Sequence, residues 1–142
     1  MQLPLLAFAS LLLLAPAATA ASAQRPRTPD STLCRSAAQG DWSAHVNAMP
    51  GPGARRTLIV MGSVGVKPAT RTTLRLSPQV MESDPPQYTV ILDMSLPRRP
   101  TIDSRERRNV RGQWPVRGNV GGVHIRCGGR IVATVKDVVV AH

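Results

Sequence analysis

Val123-His124-Ile125-Arg126-Cys127-Gly128-Gly129-Arg130-Ile131-Val132-Ala133-Thr134-Val135 carries two apolar-alternating runs joined by a glycine pair. Alternation with a period of two places successive side chains on opposite faces of an extended strand. Glycines between such runs mark a hairpin, because they supply the positive φ that tight turns require. A two-residue Gly128-Gly129 loop sets Arg130 opposite Cys127 and Ile131 opposite Arg126. A three-residue loop that includes Arg130 pairs Cys127 with Ile131, Ile125 with Ala133 and Val123 with Val135. The second register matches apolar with apolar on one face, and a slip of one residue reverses every side chain. The expectation is therefore a three-residue loop, with Cys127 facing a core and Ile131–Val140 continuing as one strand.

The same alternation recurs upstream. Gln87–Ser95 sets Tyr88, Val90, Leu92 and Met94 on one face, with Thr89, Ile91 and Asp93 on the other. Trp42–Ala48 sets Trp42, Ala44, Val46 and Ala48 against Ser43, His45 and Asn47. Arg56–Val64 is apolar on both faces around Leu58-Ile59-Val60-Met61, as a central strand is, and Gly62 and Gly65 weaken its far end or mark a bulge. Thr72–Leu76 reads as a shorter strand. Pro50-Gly51-Pro52-Gly53 and Asp84-Pro85-Pro86 read as turns. Leu96–Arg108 reads as a long charged loop, and Asn109–Val116 as an edge strand, since Pro115 cannot donate to a ladder. Only Ser31–Gln39 suggests a helical turn.

About seven short strands separated by turns predict an all-β chain, a single small antiparallel β-sandwich over residues 34–142. A closed barrel is the alternative. The order Cys34, Trp42, Cys127 resembles an immunoglobulin domain in architecture alone. Trp42 follows the first cysteine by only eight residues, and Ile125 stands where those domains carry Tyr, so the resemblance implies no function.

Residues 1–23 read as a cleaved secretory signal peptide. The run from Leu3 to Ala15 carries no charge, and Ala18-Thr19-Ala20 and Ala21-Ser22-Ala23 are small-x-small cleavage sites. The apolar core is too short to span a bilayer, which takes about 20 residues. The n-region has no Lys or Arg. Residues 24–33 begin Gln24-Arg25-Pro26-Arg27-Thr28-Pro29-Asp30 and read as a flexible leader. The implied location is periplasmic or extracellular, with no transmembrane segment in the mature chain. In that oxidising setting the two cysteines, Cys34 and Cys127, are expected to form a disulfide.

The net charge is +10, and all 18 basic and 8 acidic side chains lie beyond residue 23. Such a balance favours anionic partners. The densest basic stretch holds Arg98, Arg99, Arg105, Arg107, Arg108, Arg111 and Arg117, with Trp114 among them and only Asp103 and Glu106 opposing. Guanidinium groups grip phosphate, sulfate or carboxylate bidentately, and an exposed aromatic adds a stacking surface. These eight residues form the candidate anion site. Aromatic residues make up 3% of the chain, too few for the stacking platforms of nucleic-acid binders.

Catalytic signatures are absent from the sequence. Met61-Gly62-Ser63-Val64-Gly65 does not match the Gly-x-Ser-x-Gly elbow, there is no Cys-x-x-Cys, and His45, His124 and Asp93 lack metal-ligand spacing. The expectation is a non-enzymatic binding or envelope-associated protein without a cofactor or metal, contacting an anionic lipid, lipopolysaccharide or acidic polymer through the basic stretch. The alternative is a protein-binding module such as a protease inhibitor, presenting the Pro-stiffened Ser95-Leu96-Pro97-Arg98-Arg99-Pro100 segment.

Overall fold

The computed structural model describes residues 31–96 and 104–142. The stretch expected to be a signal peptide, the expected leader as far as Asp30, Arg98 and Arg99 lie outside the described residues, as does most of the 95–100 segment. The chain is all-β apart from one short helix. Helix α1 covers Ser31–Ala38, and eight strands follow: β1 Ser43–Asn47, β2 Thr57–Val66, β3 Arg71–Met81, β4 Gln87–Ser95, β5 Glu106–Pro115, β6 Gly122–Cys127, β7 Arg130–Val135 and β8 Val139–Ala141. They form two four-stranded sheets, ordered β5-β2-β1-β8 and β3-β4-β6-β7. Both sheets are mixed rather than purely antiparallel, because β1 pairs β8 and β4 pairs β6 in parallel.

One hydrophobic cluster joins the sheets. Val46, Leu58 and Val60 from the first meet Val90, Leu92, Val123 and Ile125 from the second, all fully buried. The β4 alternation is realised, with Tyr88, Val90, Leu92 and Met94 all buried. The Cys34–Cys127 disulfide forms and ties α1 to the end of β6. An isolated eight-residue helix is marginal in water, so α1 depends on such tertiary ties. Trp42 supplies another: its indole Nε1–H donates to the Ala37 carbonyl at 2.8 Å, and its ring lies over Gly62 of β2. A Cβ at Gly62 would stand 2.4 Å from that ring, so the glycine makes room for the tryptophan rather than marking a bulge.

The glycine hairpin corrects the expected register near its tip. Gly128 and Gly129 both have positive φ, 57° and 81°, and Cys127 pairs with Arg130, so the loop has two residues. Arg126 then faces Ile131 while Ile125 faces Ala133, which leaves Val132 as an extra residue on β7. This bulge restores the apolar matches Ile125–Ala133 and Val123–Val135. The hairpin thus uses the two-residue-loop register at its tip and the expected register beyond the bulge.

Three boundaries also differ. The predicted Ile131–Val140 strand breaks at residues 136–138, and β8 crosses to the first sheet. β5 begins at Glu106, so residues 106–108 belong to the strand and not to the preceding loop. β3 continues through Pro78 to Met81, which an edge position tolerates, and its register shifts between Leu76 and Val80.

The turn between β2 and β3 holds a strained alanine. The Thr70 N–H donates to the Lys67 carbonyl at 3.1 Å, with Pro68 and Ala69 between them. Ala69 has φ 62°, a value a type II turn normally gives to Gly. The left-handed conformation costs an L-residue about 1–2 kcal/mol, while added unfolded-state entropy takes back about 0.4–1 from a glycine. Ala69→Gly is therefore expected to raise stability by roughly 0.5–1 kcal/mol, read from the urea midpoint at unchanged slope.

Candidate functional site

The candidate site is organised by β5, the edge of the first sheet. Its antiparallel pairing with β2 runs without a register shift from Thr57↔Pro115 to Val66↔Glu106. Just beyond, the Val116 N–H donates to the Arg56 carbonyl at 2.9 Å. Even-numbered residues of β5 therefore turn their backbone groups towards β2, and odd-numbered ones turn theirs to the free edge. Pro115 falls at a free-edge position, where its missing N–H costs no ladder bond.

Side chains divide by the same parity. Val110 is buried, while Arg108, Gly112 and Trp114 are half-buried on the core side. Arg105, Arg107, Asn109, Arg111, Gln113 and Arg117 are all exposed. The basic stretch of the sequence is thus not one patch. Arg107 and Arg117 are ten residues apart on an extended chain, roughly 30 Å at about 3.3 Å per residue. Arg117 lies near Arg56, whose guanidinium donates to Asn119 Oδ1 at 3.2 Å.

Two candidates face inward. Trp114 packs against the hydrophobic cluster and covers Gly112, where a Cβ would meet the indole at 2.2 Å. Arg108 donates to the Thr70 carbonyl and to the Glu106 carboxylate, bridging β5 to the β2–β3 turn. Both side chains hold the edge strand against the body of the domain. Trp114 therefore offers no face for stacking beside the outward arginines.

Arg107 and Arg111 project outward beside an open groove of about 510 Å³ across β1, β2 and β5. Its other contributors include Asp41, Met61, Ser63 and Asn109. The register sets Asn109 opposite Ser63 and Arg111 opposite Met61. Arg107 Nε donates to Ser63 Oγ at 3.0 Å, and its terminal nitrogen donates to Asp41 Oδ2 at 2.6 Å. Those two side chains are 64% and 89% exposed, so the ion pair is a surface pair. Such pairs contribute about 0–1 kcal/mol, and an incoming anion can replace Asp41 at little cost. Arg111 makes no ion pair among the described residues.

Asp41, Met61 and Ser63 were not legible as site residues. Met61 and Ser63 reach the arginines through their odd-position alternation on β2 and its register with β5, and Asp41 reaches them from the turn between α1 and β1. The histidines lie apart, with His45 on β1 of the first sheet and His124 on β6 of the second, while Asp93 pairs with Arg75 at 2.6 Å. No described helix is long and apolar enough to cross a membrane. Comparison of the chain with protein-family models, with curated proteins and with solved structures returns no match.

Proposed function

We propose that the chain is an exported, non-enzymatic β-sandwich protein that binds an anionic polymer or lipid surface. The contact runs through the outward face of its first sheet. The observation that carries this reading is the placement of Arg107 and Arg111 on one exposed face, with Asn109 and Ser63 beside them. Arg111 has no ionic partner among the described residues, and the single carboxylate lining the groove, Asp41, is itself exposed. Arg105 precedes the strand and Arg117 follows it, so each flanks this pair further out. A partner with repeated charge engages more of such a row than one small anion can. The disulfide supports an exported setting. Dispersal of His45, His124 and Asp93 over two sheets supports a binder rather than a catalyst.

Ionic strength tests this reading. Three to four neutralised charges give an affinity loss on the order of 50-fold between about 50 mM and about 200 mM salt, by the counterion-release relation for linear polyanions. Binding of residues 24–142 to a sulfated polysaccharide, measured by calorimetry at those two salts, should show that loss. Equal affinity at both would refute an electrostatic contact.

A further inference from the structure

We propose a second binding site, on the outward face of the other sheet, for a single-chain anionic amphiphile: an alkyl chain ending in a carboxylate. The site is an open groove of about 580 Å³, within the roughly 300–1,000 Å³ range of small-molecule sites. It arises from the irregular pairing of β3 with β4. Leu76 faces Val90 and Val80 faces Tyr88, so residues 77–79 together oppose Thr89 alone. The edge strand bows away there and opens a hollow over β4 and β6.

The floor of the hollow is polar. Ser77, Thr89 and His124 line it, and Thr89 is directly paired with His124 across β4 and β6. Ser77 and Thr89 are 8% and 9% exposed. The Ser77 hydroxyl accepts the Gln79 N–H at 3.3 Å and keeps its proton for another acceptor. The Thr89 hydroxyl makes no hydrogen bond among the described residues and opens to the groove rather than being sealed in the core. It is free to donate to an oxygen of a bound ligand in place of water. His124 is held in place by Gln87 Oε1 at 2.7 Å from Nε2 and by Thr134 Oγ1 at 3.0 Å from Nδ1.

The rim supplies charge and apolar surface. Arg126 lines the groove and uses one terminal nitrogen on the Gly129 carbonyl at 3.0 Å, which leaves its other donors available. No carboxylate lines the groove. Val80, Met81 and Ile131 border it at 42%, 53% and 58% exposure, three of the seven large hydrophobic side chains exposed among the described residues. Apolar side chains gathered around a polar, cationic hollow match a ligand with one anionic head and one apolar tail. The head meets Arg126 and the Thr89 hydroxyl, and the tail lies against Val80, Met81 and Ile131.

The test titrates residues 24–142 with dodecanoate kept below its micelle-forming concentration, followed by calorimetry and by amide shifts in NMR spectra. Saturable binding is expected, with shifts centred on Ser77, Thr89, Arg126 and Ile131. Arg126→Gln should weaken it about tenfold, and Ile131→Ser about fivefold; both positions are surface-accessible, and their dispersed spectra report that the fold is kept. Acetate and a neutral alkyl maltoside, carrying the head alone and the tail alone, should each bind at least tenfold more weakly. Arg107→Glu with Arg111→Glu should leave dodecanoate affinity unchanged, which separates this site from the polyanion face. The proposal is overturned by maltoside binding as tight as dodecanoate, by unaltered affinity in Arg126→Gln, or by shifts located on the first sheet.

Discussion

Replacing Cys34 and Cys127 together by alanine is expected to lower stability by about 4–5 kcal/mol, the value chain-entropy arguments assign to closing a loop of this length. The two residues are 93 apart in sequence, so the bond constrains nearly the whole folded unit in its unfolded state. Total stabilities of small domains are about 5–15 kcal/mol, and this one bond is a large share of that. In a domain of this size the loss corresponds to a fall in melting temperature of roughly 20–30 °C. The effect should be global rather than local, because the bond joins α1 to β6 of the second sheet while Trp42 and Gly62 hold the same helix to β2 of the first. Thermal unfolding of the double variant checks this. A fall of only a few degrees would mean that the two ends are already held together without the bond.

Arg107→Glu with Arg111→Glu is expected to reduce polyanion affinity at least 100-fold while leaving the melting temperature within a few degrees of the parent. The double change removes two positive charges and adds two negative ones on the same face, and like-charge opposition acts across the whole contact. Folding is insensitive because neither side chain contributes to the core. The one native ion pair lost, Arg107–Asp41, is a surface pair worth about 1 kcal/mol at most. Reversing Arg105 and Arg117 instead should cost only a few-fold, since they lie at the two ends of the row. Arg108 is unsuited to the same test, because its contacts to Thr70 and Glu106 bind β5 to the neighbouring turn. Isothermal titration of the three proteins at low salt separates these outcomes.

The strands were legible where one face of the alternation is wholly apolar. Tyr88, Val90, Leu92 and Met94 identify β4 from the sequence alone, and the cysteines identify the disulfide. Less was legible where a strand changes partners. The valine run ending at Val140 carries no breaker stronger than Lys136-Asp137, so nothing local announces that β8 leaves one sheet for the other. The hairpin register failed for a related reason: a bulge at Val132 allows two registers in one hairpin, and local pattern matching weighs only uniform ones. For the candidate site, charge density pointed to β5 but could not divide it. Parity on the strand sends Arg107 and Arg111 outward and turns Arg108 and Trp114 inward, and the expected strand from Asn109 left Arg107 and Arg108 in a loop with no face assigned.

The most direct test of the central claim maps the polyanion contact residue by residue. Isotopically labelled residues 24–142 titrated with a short sulfated oligosaccharide at low salt should show amide shifts concentrated at Ser63 and across Arg107–Arg111. The β4 and β6 residues of the other sheet should remain still. Shifts centred on Arg55, Arg56 and Arg117, or on the second sheet, would contradict the assignment of the outward β5 face as the binding surface.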